Sequence, residues 1–228
     1  MMESSAITEQ VNDQIIQLII ECIEEDKKLP TEQEMMARFQ ISRTALREIL
    51  NEHAVNGIIT SQQGSGRYAH FPDLGIQIKN TWLPFIKHKP SMLLDFFEVR
   101  KCLELSSLPV AMQNLRSDNL LQLRQHADAM LKCAKEGKSF EKHDRDFHCT
   151  LFSCTKNVLF TQLLTAFWDV CESAFTWPSN NDLMHVAQQH VDILEALACQ
   201  DEKKATALLD EQFVESRNQI ALALVKIK

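Results

Sequence analysis

Residues 29–50 read LPTEQEMMARFQISRTALREIL, and this stretch contains the starts of two successive helices. Pro30 stops the helix that precedes it, because a proline ring cannot continue a helix. Thr31 and Glu34 have the spacing of a capping box, which predicts a short helix after residue 31. Ser42 is a fitting N-cap for the next helix. Two short helices separated by a tight turn are therefore predicted.

The segments on either side complete a small domain. Between Ile7 and Ile23 apolar residues recur at steps of three and four, which predicts an amphipathic helix that ends near residues 24–28. Gly57 fits the position just after the third helix. Residues 58–61 and 67–70 can pair as strands around a glycine-containing turn. We predict a winged helix-turn-helix, with three helices and a β-hairpin, over residues 1–72.

The remainder of the chain is predicted to be helical, because glycine is almost absent and apolar residues keep helical spacing. Pro90, Gly137 and residues 177–180 mark breaks between helices. The predicted helices span residues 73–87, 91–113, 117–136, 139–154, 157–175, 181–199 and 201–226. Connections this short favour an antiparallel all-α bundle of six to seven helices. The protein is thus predicted to be mainly α, with a linker helix at 73–90 and a second domain at 91–228.

The charge distribution limits how the first domain could bind nucleic acid. The formal net charge is −7, and between residues 29 and 71 four arginines are balanced by four glutamates. A bulk positive field is therefore excluded as the basis of binding. Any contact with DNA has to come from a few placed side chains.

Composition also indicates where the protein works. The seven cysteines are odd in number and include no Cys-x-x-Cys pair, which favours buried reduced thiols over a disulfide framework. The first ten residues do not resemble a signal peptide, and no later segment has the uninterrupted apolar length of a membrane span. We expect a cytoplasmic protein with no membrane partner.

The third helix carries a pattern typical of DNA reading. Arg43, Arg47 and Asn51 project from one face at i, i+4 and i+8, with Thr44 beside them. The second helix of a helix-turn-helix enters the major groove, where an arginine can bond guanine O6 and N7 together. The alternative is two solvated arginines on an exposed helix. The capped helix, the tight turn and the Gly-x-Gly wing favour DNA binding.

The same residues resemble a known family. Residues 29–34, 41–50, 56–59 and 64–66 follow the pattern LPxExxLA, then (V/I)SRxTxREAL, then a glycine-containing wing, and so resemble the GntR family of bacterial repressors over residues 7–71. The resemblance implies that Arg43, Thr44 and Arg47 contact DNA from the recognition helix. It also implies that Gln63 and Gly64 lie at a wing tip that reaches the minor groove.

One position departs from that pattern. Many members of the family have a DNA-contacting arginine where this chain has Gln33. Gln33 can still bond a base or a phosphate but brings no charge, which implies an altered operator. Because one reader covers only a few base pairs, we expect a homodimer on a double-stranded operator with an inverted repeat.

Residues 91–226 resemble the FCD effector domain of the FadR-type branch, a bundle of six or seven helices. The resemblance rests on RKCLE at 100–104, DRDFH at 144–148 and QHVDILEAL at 189–197. It implies a transcription regulator whose operator affinity is set by a small-molecule effector. A carboxylic acid that relieves repression is expected, with activation as the alternative.

The second domain also contains a candidate metal site. Asp144 and His148 lie at i, i+4 and face the same way, as two metal ligands on one helix would. The family completes this site with two further histidines. His190 falls at the first of those positions, and Gln212 occupies the second. Since an amide oxygen is a poor ligand for zinc-type ions, a Zn- or Ni-like divalent metal is expected to bind weakly to Asp144, His148 and His190.

Two alternatives remain open for these residues. Without metal, Asp144, His148, His190 and Gln212 would bind the effector directly by hydrogen bonds. Arg100 could then anchor its carboxylate, or it could form a structural ion pair with Glu104. A metal-dependent hydrolase built on Asp144, His148 and His190 is the competing function, although no motif supplies its general base.

Overall fold

The computed structural model describes residues 2–175 and 182–226, with side chains for residues 10–175 and 182–225. The predicted break at 177–180 falls outside the described residues. The elements, in chain order, are α1 Met2–Glu24, α2 Glu32–Phe39, α3 Arg43–Val55, β1 Ile59–Gln62, β2 Gly66–Ala69, α4 Leu74–His88, α5 Met92–Asn114, α6 Ser117–Lys135, α7 Glu141–Ser153, α8 Val158–Ala174, α9 Leu183–Ala198 and α10 Glu202–Lys226. This order confirms the predicted fold class.

Contacts within the chain divide it into two compact units, Met1–Gln77 and Ile78–Lys228. The division falls inside α4. The predicted domain limits, with 1–72 as the first domain, 73–90 as a linker helix and 91–228 as the second domain, stay a prediction. None of the described helices combines the length and the hydrophobicity needed to span a bilayer.

Two side-chain caps define the turn between α2 and α3. Thr31 Oγ1 accepts the backbone N–H of Glu34 at 3.3 Å, and the Glu34 carboxylate accepts the backbone N–H of Thr31 at 2.8 Å. Ser42 Oγ accepts the backbone N–H of Ala45 at 3.2 Å. Gln40, in the left-handed region at φ 53°, ends α2. The predicted capping box and N-cap are both present, so short-range hydrogen bonds fix where α3 starts.

The first unit has its own core and a short wing. The core packs apolar residues of α1, α2 and α3, among them the fully buried Ile15, Met35 and Leu46. β1 and β2 pair antiparallel from Ile59 opposite Ala69 to Gln62 opposite Gly66. One pairing was not predicted. Lys28 forms a β-bridge with Tyr68, and the Leu29 N–H donates to the Arg67 carbonyl at 3.0 Å, which joins the wing to the segment between α1 and α2.

The second unit is an all-helical bundle. α5 packs against α7, α8 and α10, while α6 packs against α7 and α9, and α9 against α10. Its core includes the fully buried Leu108, Phe147, Phe152 and Ile193. The helices α5 to α10 correspond to the predicted segments, because their caps and apolar spacing are local features of the sequence.

Replacing Ser42 with alanine should destabilise α3. The change removes the acceptor of the Ala45 N–H and should cost about 1 kcal/mol. Ser42→Asp keeps an acceptor in place and should restore the loss. Native-state hydrogen exchange of α3 amides measures the effect, with α6 amides as an internal reference. Unchanged exchange in Ser42→Ala, or equal loss in both variants, would contradict this role of the cap.

Candidate nucleic-acid interface and buried histidine site

The outer face of α3 exposes the residues predicted to read DNA. The side chains of Arg43 and Arg47 are 64% and 57% exposed, and Thr44 beside them is also exposed. The inner face is buried through Leu46 and Ile49. The helix therefore presents two cations to solvent one turn apart, as the spacing predicted.

Glu32, the first residue of α2, contacts three arginines. Its carboxylate accepts hydrogen bonds from Arg47 Nε at 3.1 Å and from Arg67 Nη2 at 2.8 Å, and Arg43 Nε lies 3.8 Å away. The hydrogen bond from Arg67 is the main cause that lowers the pKa of Glu32. Since Arg67 belongs to β2, Glu32 links the recognition helix to the wing. The pattern LPxE contains this glutamate, but sequence reasoning gave it no role.

The other predicted contact residues lie on the surface of the same unit. Gln33 is exposed at the start of α2, and Gln63 and Gly64 are exposed in the hairpin turn. Gly64 has φ +74°, and a side chain there would meet no atom within 4 Å. The wing tip is therefore open to a partner, while its backbone conformation favours glycine.

In the second unit, four helices bring the predicted effector and metal residues together. Arg100 comes from α5, Asp144 and His148 from α7, His190 from α9 and Gln212 from α10. All except Asp144 are buried, with His190 fully so and His148 only 2% exposed. One ligand atom from each of Asp144, His148 and His190 lies within 4.8 Å of the others. The structure thus places the three candidate metal ligands in one cluster.

The two histidines are held by their Nδ1 atoms. His148 Nδ1 lies 2.6 Å from a carboxylate oxygen of Glu104, and His190 Nδ1 lies 2.8 Å from the carbonyl of Val186. Both partners are acceptors, so each is satisfied by the tautomer with its N–H at Nδ1, and in that tautomer Nε2 has a lone pair. The Nε2 atoms of His148 and His190 lie 3.4 Å and 3.0 Å from the same oxygen, Asp144 Oδ1.

This arrangement concentrates negative potential at one point. Burial raises the pKa of Asp144, but its contact with His190 and the charges around it outweigh burial and leave that pKa lowered. Two lone pairs and a carboxylate facing each other require a proton or a cation between them. Carboxylates and backbone carbonyls are also the usual hydrogen-bond partners of the second ring nitrogen in a metal-ligating histidine. The donor set therefore fits a divalent transition metal.

Gln212 lies against His190, where the family pattern has a fourth ligand. Its Nε2 is 3.0 Å from His190 Nε2 and 3.2 Å from His190 Nδ1, and the residue is only 6% exposed. The amide thus reaches the cluster but brings no imidazole lone pair. The expectation that Gln212 is a weakened fourth ligand stays a prediction.

Of the two roles considered for Arg100, the structure contains the ion pair with Glu104, and the role as an effector anchor stays a prediction. Its Nε donates to Glu104 at 2.6 Å, and both residues are buried, so the ion pair is present. Within the described residues the hydrogen bonds of Arg100 use Nε alone, which leaves the Nη groups as donors. The guanidinium stacks on Trp168, with its Cζ 3.8 Å from the ring centroid. The ion pair and the stacking therefore fix Arg100, while its Nη groups have no hydrogen-bond partner among the described residues.

Sequence reasoning missed two members of this site. Glu104 is fully buried and contacts both Arg100 and His148; burial raises its pKa, but the charge of Arg100 and the contact with His148 outweigh burial, and the net shift is downward. Trp168 lies on α8. It is buried, but its Nε1 has no hydrogen-bond partner among the described residues, and it lines the cavity beside Arg100 and Asp144. A tryptophan among apolar neighbours gives no sequence signal for such a donor.

The cavity itself is small. It has a volume of about 20 Å³ and is lined by Phe97, Arg100, Asp144, His148, Trp168, Val186, Gln212, Phe213 and Ser216. Such a volume corresponds to roughly one water molecule. A bound molecule must therefore be small or must displace side chains.

The chain is similar to regulatory proteins along both units. Residues 7–68 match the description "Bacterial regulatory proteins, gntR family", and residues 95–214 match the FCD domain. The Uxu operon regulator of Haemophilus influenzae is 26% identical over 177 residues, which cover 75% of this chain and 65% of that protein. The regulator LutR of Bacillus subtilis is 28% identical over 137 residues, 60% of this chain and 62% of that protein.

Two further proteins are similar over more of their length. A putative L-lactate dehydrogenase operon regulatory protein of Escherichia coli is 22% identical over 205 residues, which cover 86% of this chain and 79% of that protein. The solved structure of Streptococcus agalactiae GntR shares the fold, with a TM-score of 0.68 at 20% identity over 92% of this chain and 99% of that one. Because the FCD match alone covers more than half of the residues and follows a gntR match, the chain belongs to the GntR family of bacterial regulatory proteins, in the FadR-type branch that carries an FCD domain.

Proposed function

We propose that this chain is a sequence-specific DNA-binding transcription regulator, a repressor that a small carboxylate effector releases from its operator. The observation that carries the proposal is the exposed pair Arg43 and Arg47 on α3, braced by Glu32 in a chain of net charge −7. Phosphate contacts position a protein on DNA, while contacts with base edges specify the sequence. A reader with so little positive field depends on such placed contacts.

The operator is proposed to be an inverted repeat bound by a homodimer. One recognition helix with a wing covers only a few base pairs, and two-fold related copies double the contacts. Gln63 and Gly64 at the wing tip are the proposed minor-groove contacts, and Gln33 is a proposed uncharged contact. This arrangement gives specificity without a large basic surface.

The effector is proposed to bind in the cavity of the second unit. Arg100 and Trp168 line this cavity, and the Nη groups of Arg100 and the Nε1 of Trp168 are donors without a partner among the described residues, which suits a carboxylate acceptor. The small volume favours a small acid. L-lactate is a suitable first probe, because one relative in E. coli is named for an L-lactate dehydrogenase operon.

A Zn- or Ni-like ion is proposed to bind Asp144, His148 and His190. The fit rests on the two Nε2 lone pairs that converge on Asp144 Oδ1. Three protein ligands leave coordination positions open, and a bound ion would supply positive charge beside an effector carboxylate. Gln212 borders this point and would contact the ion or the effector.

A hydrolase built on the same cluster is disfavoured. Such a centre needs a general base beside its attacking water. Glu104 is engaged by Arg100 and His148, and Glu172 pairs with Arg145 at 3.0 Å. The family matches are to regulatory proteins, which favours a regulatory use of the pocket.

Removing either recognition arginine should weaken binding to the operator. We expect Arg43→Ala and Arg47→Ala each to cost about 1–3 kcal/mol, roughly 5- to 150-fold in affinity, through a lost guanine contact. Fluorescence anisotropy on a duplex that the unmutated protein selects from random DNA measures it. Arg124→Ala, which removes one charge from the second unit, is the matched control. Equal weakening by Arg124→Ala would contradict a specific role for α3.

Substitutions at Gln212 and at His148 should change the metal affinity of the pocket in opposite directions. Gln212→His supplies an imidazole and should tighten binding of Zn²⁺, whereas His148→Ala should abolish binding in the pocket. Chelator competition on purified protein measures both. By linkage, zinc and effector should raise each other's affinity by the same factor. If the effector still releases DNA equally well in excess chelator, the metal is not part of the response.

We expect the indole N–H of Trp168 to donate a hydrogen bond to the effector and to contribute nothing to the stability of the fold. Trp168→Phe keeps an aromatic ring beneath Arg100 but removes the donor, so effector affinity should fall by about 1 kcal/mol or more, with no loss of stability from a missing hydrogen bond. A thermal-shift series with L-lactate and other small carboxylates gives both quantities. Unchanged effector affinity in this variant would show that Trp168 acts only by packing.

A further inference from the structure

A second group of potential metal ligands lies on α7, away from the pocket. Asp146 is two residues after Asp144 and so lies about 200° around the helix from it. His143 is three residues before Asp146, and His126 comes from α6, which packs against α7. One ligand atom from each of His126, His143 and Asp146 lies within 4.8 Å of the others. Two helices therefore contribute two imidazoles and a carboxylate to one place.

The burial and the hydrogen bonding of these three residues both suit a shared ligand. All three residues are half-buried, and the imidazole rings of His126 and His143 lie 5.9 Å apart, centroid to centroid. His143 Nδ1 is buried without a hydrogen-bond partner among the described residues. A buried polar atom of this kind normally has a partner, and an ion or an ordered water supplies one.

We propose that His126, His143 and Asp146 form a second divalent metal site, specific for zinc-like ions and separate from the pocket. Two imidazole nitrogens and one carboxylate suit zinc, nickel or copper, whereas magnesium and calcium take oxygen ligands. Three protein ligands at a half-exposed place leave room for water. The ion cross-links α6 to α7, the helix whose other side holds Asp144 and His148.

Zinc content of single variants tests the proposal. Full-length protein, reduced and dialysed against a buffered concentration of free Zn²⁺, is compared with His126→Ala, His143→Ala and the matched control His88→Ala, which changes an exposed histidine of α4. The first two variants should lose about one zinc per chain, as expected for removal of a ligand from a three-ligand site. His88→Ala should lose none.

A conservative variant separates ligand loss from misfolding. His126→Cys places a thiolate at the same position and should retain the zinc that His126→Ala loses. Equal zinc content in the unmutated protein, His126→Ala and His143→Ala would overturn the proposal.

A variant of the pocket tests this site separately from the pocket metal of the proposed function. Asp144→Asn should remove zinc from the pocket, and adding His126→Ala to it should remove about one more per chain, because the two ligand sets share no residue. If Asp144→Asn loses nothing while His126→Ala still does, the pocket metal is wrong and the second site stands. If the added His126→Ala changes nothing, the second site is wrong whatever the pocket binds.

Discussion

Glu104 is fully buried, and both of its carboxylate oxygens are engaged, one by Arg100 and the other by His148. A buried carboxylate is tolerated only when charged or strongly polar partners satisfy it. Here the hydrogen bonds with Glu104 also orient Arg100 and His148. His148 is fixed with its Nε2 towards Asp144, and Arg100 is fixed with its plane on Trp168. The orientations of Arg100 and His148 in the pocket therefore depend on this one side chain.

The first unit also gathers cations around one glutamate, with a different physical outcome. Glu32 contacts Arg43, Arg47 and Arg67, but the two arginines of α3 are more than half exposed. Ion pairs in solvent contribute little and are screened by salt. Glu32 can therefore position the arginines in the free protein, and breaking its ion pairs so that the arginines can contact phosphates or bases costs little free energy. Glu104 thus holds two buried partners, whereas Glu32 holds two arginines that stay more than half exposed.

Sequence could predict those parts of the molecule that are set by neighbours along the chain. Thr31 and Ser42 cap helices through residues three positions away, and the hairpin follows from its glycines and alternating strands. The face of α3 and the i, i+4 pair on α7 are equally local. Family resemblance supplied the long-range grouping of His190 and Gln212, which spacing alone does not reveal.

The roles that sequence could not supply belong to contacts between distant positions. Glu32 meets Arg67 and Glu104 meets His148 across 35 and 44 residues, and no periodicity reports such pairs. The free donor of Trp168 exists because neighbouring side chains bury its ring and leave Nε1 unmatched. Whether a buried polar atom is satisfied is a property of the packed bundle.

Gln212 gives the pocket a property that a histidine there would lack. Its amide lies against His190 and carries an acceptor on one side and a donor on the other. Rotation about its last bond exchanges the two ends without moving the backbone of α10. The same residue can then offer oxygen to a cation or N–H to an anion. A flip of this amide exchanges a donor for an acceptor on one wall of the site, and the helices stay where they are.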